Sequence, residues 1–398
     1  MMEVIKKNER IDHLTDEQIK ELIRRYYNNE KASSLIKEYD IIISPSKLYT
    51  IFPPEICYEK ICPNCNIPMV KDRKSKTSYS YRWNKENDFY CYLCGHITDY
   101  QRCGCNNCVI ITKNEMQRKA EEKKLEELRK RQLISETYSL GKRRRIEYSA
   151  ISFRDRVYLG SLLRTCLSED LTTIYSVESC DRSLAPTEDM RRELVVSLSN
   201  KNIIVVSPDS HLEAFTESEE DEFPNVYYIY KVNYHLNIES SEDKQECISK
   251  IINPPEFDKA YRDEAYAIWR DVALAECLEY FNYQMDSVNF SFNPGDKTLA
   301  VFNDLLNRYS VSQIYGIIYK SIAQATKFYQ EGNVSKKQAA NSVIGNCQRF
   351  GERAEINGWD LTKYRRAKEC PQTMISEFFF NRVLKIGDDG FNMPPFRL

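Results

Sequence analysis

Apolar residues recur at helical spacing along most of the chain, with a few strand-like runs between them. Ile19, Leu22, Ile23 and Tyr26 repeat behind Thr15, Asp16 and Glu17, the signature of an N-capped amphipathic helix. Asn28 and Asn29 interrupt it. Leu35, Ile36 and Tyr39 mark a second helix, and Ser44-Pro45 opens a third that Pro53 and Pro54 stop. Residues 113–145 carry only a thin stripe, Met116, Ala120, Leu125 and Leu128, among Lys, Arg and Glu, which predicts a solvated linker helix. Val157, Leu162, Leu163 and Cys166 suit one further helix, and Thr187-Glu188-Asp189 starts another that runs to Asn200. Residues 203–206 then predict a short buried strand, and residues 227–238, rich in β-formers, a second strand beyond an acidic loop holding Glu217, Glu219, Glu220, Asp221 and Glu222. From residue 257 onward the apolar faces of Ile268, Trp269 and Val272, of Phe302, Leu305 and Tyr309, of Ile314, Ile318 and Ile322, and of Ala339, Val343 and Cys347 predict successive helices. Residues 374–383 add a last one, so the end of the chain reads as a four- or five-helix bundle.

A chain of 398 residues has room for two to four cores of ordinary size. No run approaches the ~18 to 20 apolar residues of a membrane span, and the first twenty residues lack an apolar signal segment, so the expectation is a cytoplasmic protein without a membrane partner. In a reducing compartment, clustered thiols hold metal more often than they form disulfides. Eight of the fourteen cysteines fall between Cys57 and Cys108, and the other six, Cys166, Cys180, Cys247, Cys277, Cys347 and Cys370, are scattered as core thiols would be.

Within the cluster, Cys62, Cys65, Cys91 and Cys94 form two CxxC pairs. Such a turn lets two sulfurs converge on one ion while the second pair arrives from a distant hairpin, giving zinc its four ligands. The pattern resembles a zinc ribbon over residues 60–97, with a spacer of 25 residues that is longer than the common one. Cys103, Cys105 and Cys108 supply three more thiols and need a fourth ligand. Cys57 is preferred to His96 for thiolate softness, which makes eight sulfurs for two Zn2+ ions; thiolate ligation alone does not separate zinc from an iron–sulfur cluster. Four thiolates leave no open position for a substrate, and no phosphate-loop, dinucleotide or nucleophile-elbow motif occurs, so the metal reads as a staple and the chain as a non-enzyme.

Charge is segregated: residues 1–145 carry +8, residues 146–260 carry −11 and residues 261–398 carry +1. Between the CxxC pairs, Lys71, Arg73, Lys74, Lys76, Arg82 and Lys85 alternate with Tyr79, Tyr81 and Trp83, a combination that suits phosphates and unpaired bases or, equally, a small ribbon core. The three short helices of residues 15–52 resemble a helix-turn-helix, which implies a groove-reading third helix bearing Lys47. Helix, helix, strand, acidic loop and strand in residues 146–256 resemble a winged helix whose acidity disfavours DNA. The expectation is thus an α+β multidomain, mainly helical protein: a helix-turn-helix-like unit (1–56), a zinc-ribbon module (57–112), a charged linker (113–145), a winged-helix-like domain (146–256) and a helical bundle (257–398). It would be a zinc-stabilised DNA-binding protein with a regulatory, mobile-element or defence role, its bundle recruiting a protein partner or a second copy. A protein–protein adaptor and an enzyme subunit without linear motifs are the alternatives.

Overall fold

The computed structural model describes residues 7–77, 89–98, 103–218, 221–239, 243–332 and 334–397. The protein is mainly helical with small two-stranded sheets, and it divides into two compact units, Met1–Glu126 and Glu127–Leu398.

In the first unit, helix α1 (Asp16–Tyr27) starts where expected. Thr15 Oγ1 accepts the Gln18 N–H at 3.2 Å and Gln18 Oε1 accepts the Thr15 N–H at 2.8 Å, so two N-terminal donors are satisfied reciprocally. Its buried Ile19, Leu22 and Tyr26 pack on Leu35 of α2 (Ala32–Glu38) and on Leu48 and Phe52. Arg25 of α1 holds Glu30 at 2.6 Å and Glu38 at 2.7 Å, fixing α2 against α1. The third expected helix is instead a seven-residue 3-10 helix, Pro45–Ile51. It must turn Leu48 and Ile51 inward within a short span that Pro53 closes, and the tighter i to i+3 pitch achieves this. A hairpin of β1 (Glu55–Ile61) and β2 (Pro68–Lys71) follows, with Cys57 opposite Met69 and an irregularity between Cys57 and Ile61. Helix α3 (Asn106–Thr137) begins seven residues before the expected linker and crosses the division between the units; nearly all its side chains are solvated, as its thin apolar stripe requires.

The second unit contains α4 (Phe153–Cys166), α5 (Glu188–Asn200), α6 (Lys244–Ile252), α7 (Arg262–Ser287), α8 (Asp296–Leu305), α9 (Val311–Gln330), α10 (Lys336–Ile356), the short α11 (Met374–Glu377) continued by a π-helical turn at Phe378–Val383, and α12 (Asp389–Asn392). Short strands β3 (Ile146–Glu147), β4 (Ile204–Val206), β5 (Phe215–Thr216), β6 (Val226–Tyr227), β7 (Tyr234–Leu236) and β8 (Ile238–Glu239) complete it. β4 pairs antiparallel with β7, Val205 opposite His235. The single strand expected over residues 227–238 is thus three pieces, because Lys231 and Val232 N–H both turn back to the Tyr228 carbonyl.

One continuous apolar core runs from Ile134 to Phe391, so the expected boundary at residue 256 does not separate two cores. The reason is sequence-distant: Met374 and Ile375 N–H bond the carbonyls of Ser183 and Leu184, and Phe378 lies on α4. Gly160 is what admits that ring, since a Cβ there would stand 2.2 Å from it. Of the six scattered cysteines, Cys247, Cys277, Cys347 and Cys370 are buried thiols, whereas Cys166 and Cys180 are joined as a disulfide; the turn after α4 brings their Cα atoms to 6.0 Å.

At the heart of the helical layer, Glu276 on α7 is almost wholly buried and meets Arg366 at 2.8 Å, while the guanidinium lies 4.1 Å from the Phe391 ring centre. One turn on, burial first and then repulsion from Glu276 push Glu279 up to about 7, with Arg366 and Arg191 opposing.

A carboxyl raised in the folded state favours folding below its unfolded pKa and loses that advantage as pH rises through about 7. Glu279→Gln should therefore raise stability at pH 8, by about 1 kcal/mol after discounting for solvent screening, and leave it unchanged near pH 4.5; urea midpoints at the two pH values check this. Gly160→Ala should lower the thermal midpoint by overpacking against Phe378, at a cost of about 1–3 kcal/mol, and Phe378→Leu should recover part of the loss in the double variant.

Candidate metal centre

The two CxxC turns arise from backbone that the sequence prescribes. After β1 the chain reverses, the Asn66 N–H bonding the Cys62 carbonyl at 2.9 Å with Asn66 at φ 54°. In the second turn Gly95 N–H bonds the Cys91 carbonyl at 2.8 Å with Gly95 at φ 71°. Both bends use residues that tolerate left-handed backbone, and each turns its N–H groups toward sulfur. The sulfurs of Cys62, Cys65, Cys91 and Cys94 lie within 4.8 Å of one another, and Cys62 and Cys94 Sγ are 3.7 Å apart. Four sulfurs at ~2.3 Å from a tetrahedral ion would be separated by ~3.8 Å. Cys62 and Cys91 are fully buried beside Met69. The bond to the Cys94 sulfur and burial push the Cys65 thiol up to about 12; a cation bound among the four sulfurs would be what holds them as thiolates.

A second tetrad lies beside the first. His96 Nδ1 is 3.2 Å from Cys108 Sγ, 3.4 Å from Cys103 Sγ and 3.8 Å from Cys105 Sγ, and all four residues are buried. Bond lengths of ~2.0 Å to nitrogen and ~2.3 Å to sulfur place tetrahedral ligand atoms ~3.5 Å apart, in the middle of this range. Cys108 sits in the first turn of α3, so the long helix grows directly out of the cluster. The structure therefore corrects the choice of fourth ligand: it brings in His96, and Cys57 joins neither tetrad. Cys57 is on β1 five residues before Cys62, and an extended strand carries it ~16 Å from the turn. The signal for His96 was its position just beyond the second CxxC turn, where the chain that supplies Cys91 and Cys94 passes straight into the second cluster.

The tetrads are physically coupled. Cys91 N–H bonds the His96 carbonyl at 2.7 Å, so one turn orients ligands of both. Asn64, inside the first CxxC, directs its amide to Cys105 Sγ at 3.4 Å and toward Cys94 Sγ at 4.0 Å.

The basic residues expected to touch nucleic acid divide. Lys47 is exposed on the 3-10 helix, and Lys74 is exposed. Lys71 lies 5.1 Å from the Phe89 ring centre. Arg73 and Lys76 are turned inward: Arg73 Nε donates to the Pro53 carbonyl at 3.0 Å, and Lys76 Nζ donates to the Glu30 carbonyl at 2.5 Å beneath the Tyr26 ring. These two contacts tie the hairpin to the helical part. Arg82 and Trp83, with Tyr79, Tyr81 and Lys85, lie outside the described residues.

Elsewhere, Ser207 Oγ is 2.9 Å from His235 Nε2, but Ser207 is fully buried and also accepts the Asp209 N–H, which makes the pair a fold contact rather than a nucleophile and base. No helix among the described residues is long and apolar enough to cross a membrane. No protein family matches the chain, and neither a curated protein nor a solved structure does.

Because the second tetrad borrows the first one's turn, Cys62→Ser should lose both ions, whereas Cys108→Ser should lose only one. Cys57→Ser should retain the wild-type metal content. Elemental analysis of the purified variants distinguishes these outcomes, and loss of a single ion from Cys62→Ser would contradict the coupling.

Proposed function

We propose that this chain is a zinc-stabilised, non-enzymatic nucleic-acid-binding protein whose N-terminal unit is a two-ion structural module. One ion is held by Cys62, Cys65, Cys91 and Cys94, the other by His96, Cys103, Cys105 and Cys108. The observation that carries the zinc reading is the pair of tetrads with ligand-to-ligand spacings that suit tetrahedral zinc. Both shells are filled by protein, which leaves no position for a substrate or an activated water. Energy released on metal binding goes into the fold, since the cysteine turns have little core of their own.

Nucleic acid as the partner rests on the +8 charge of residues 1–145 and on exposed Lys47. DNA is the first candidate, with the 3-10 helix rather than an α-helix presenting Lys47, so contact would be with phosphates more than with base edges. The acidic loop that includes Glu217 and Asp221 in the second unit would repel such a partner. A regulatory or defence role is the biological setting this reading suggests. A protein adaptor is the second reading, favoured by one observation: Arg73 and Lys76 each donate to a backbone carbonyl within the module.

The zinc-loaded full chain should be retained on duplex DNA and released as salt rises. Lys47→Glu should lower the affinity and reduce the slope of log affinity against log salt by about 0.9 without changing the thermal midpoint. A chelator should open Met1–Glu126 to protease while leaving Glu127–Leu398 resistant. Salt-independent or absent DNA retention would pass the case to the adaptor.

A further inference from the structure

We propose that the face formed by α9, α10 and the segment just after α10 binds single-stranded nucleic acid. This does not rest on the zinc reading and concerns the other unit. Residues 311–368 contain ten Lys and Arg against four Asp and Glu, and nine of those cations remain once Arg366, paired internally with Glu276, is set aside. Of those acids, Glu355 is taken up by Arg308 at 2.5 Å, so the local excess of positive charge is larger than the near-neutral balance of residues 261–398 suggests.

The excess is organised along one side of α9. Gly316, Lys320, Gln324 and Phe328 recur every fourth residue and so share a face, ~18 Å from end to end. At one end the chain after α10 lies on the helix: Tyr364 N–H bonds the Ser312 carbonyl at 2.9 Å, and its ring occupies the space that only a glycine at 316 leaves, 3.1 Å from a would-be Cβ. This sets Tyr364 6.1 Å from Tyr319, which is half exposed. In the middle, Lys320 Nζ is 5.2 Å from the Phe350 ring centre, and Phe350 is 5.8 Å from Trp359, itself 49% exposed. At the other end Lys327, Phe328, Asn346 and Arg349 line a groove of about 410 Å³. Arg349 is held in place by donating to Asn346 Oδ1 at 2.5 Å, and Glu331 is the one acid in the lining.

Cations and exposed aromatic rings therefore alternate along a single track. Phosphates neutralise the first, and the flat faces of unpaired bases cover the second. A duplex hides its base faces and would use only the cations; an acidic peptide likewise satisfies Lys320, Lys327 and Arg349 but leaves Tyr319 and Trp359 in water. A single strand is the one polyanion that employs both sets.

The test uses the full chain and fluorescein-labelled dT20 and U20 oligonucleotides, followed by anisotropy across a salt series. Lys320→Glu with Lys327→Glu should weaken binding at least ~10-fold and lower the salt slope by about 1.4. Trp359→Ala should cost about 5- to 100-fold with little change in slope, because it removes stacking and not charge. Lys297→Glu, on α8, should be silent, and circular dichroism melts should confirm that the variants fold. Failure of the front-unit Lys47→Glu variant to affect dT20 binding would leave this proposal standing. Three results would overturn it: no binding of either oligonucleotide at 50 mM salt, unchanged affinity in the Lys320/Lys327 variant, or polyglutamate competing as well as unlabelled dT20. A shift in sedimentation of the Lys320/Lys327 variant without any change in oligonucleotide affinity would assign the face to self-association instead.

Discussion

Convergence of four sulfurs on one point is the constraint on which the N-terminal unit depends. Cys62 and Cys94 Sγ stand 3.7 Å apart, two further cysteines complete the set, and the surrounding apolar cover is no more than Met69, Ile67 and Phe89 with the cysteines themselves. Such a cluster is too small to fold on buried area alone, and a divalent ion bound among the sulfurs would add its binding energy to the fold. Arg73 and Lys76 tie the hairpin to the helical part, and the Cys91–His96 turn delivers a nitrogen to the second tetrad, from which α3 starts.

The larger unit stands on a different principle. Its core is apolar and continuous, and two buried carboxylates in it are paired with cations: Glu276 with Arg366, Asp155 with Lys201 at 2.7 Å. Pairs of this kind add little net stability but strongly disfavour arrangements that would leave one partner alone. Glu276 and Arg366 are ninety residues apart in sequence, so the pair fixes the segment after α10 against α7. That same segment supplies Tyr364 to the α9 face, which connects an internal constraint to an external surface.

Much of this was legible in the sequence where the signal is local. The cap at Thr15, the periodic faces of α7, α9 and α10, and the first cysteine tetrad follow from spacing alone. The misreadings have a common cause in contacts that spacing does not encode. The 3-10 geometry of Pro45–Ile51 depends on how Leu48 and Ile51 meet a core formed by α1. The merging of the middle and C-terminal regions depends on Phe378 finding Gly160 across more than two hundred residues. The choice of His96 over Cys57 was decided by strand direction, which ranked above ligand softness. Cys166 and Cys180 looked like independent core thiols until the turn between them was seen to close.

Two tetrads, one of four sulfurs and one of three sulfurs and a nitrogen, are the groups on which the proposed reading stands. X-ray absorption at the zinc edge of the full-length protein tests the foundation of that reading most directly. The account predicts two zinc ions per chain whose averaged shells contain seven sulfurs to one nitrogen, at distances of ~2.3 and ~2.0 Å. A protein that purifies fully folded without zinc, or whose zinc is surrounded mainly by oxygen, would contradict it.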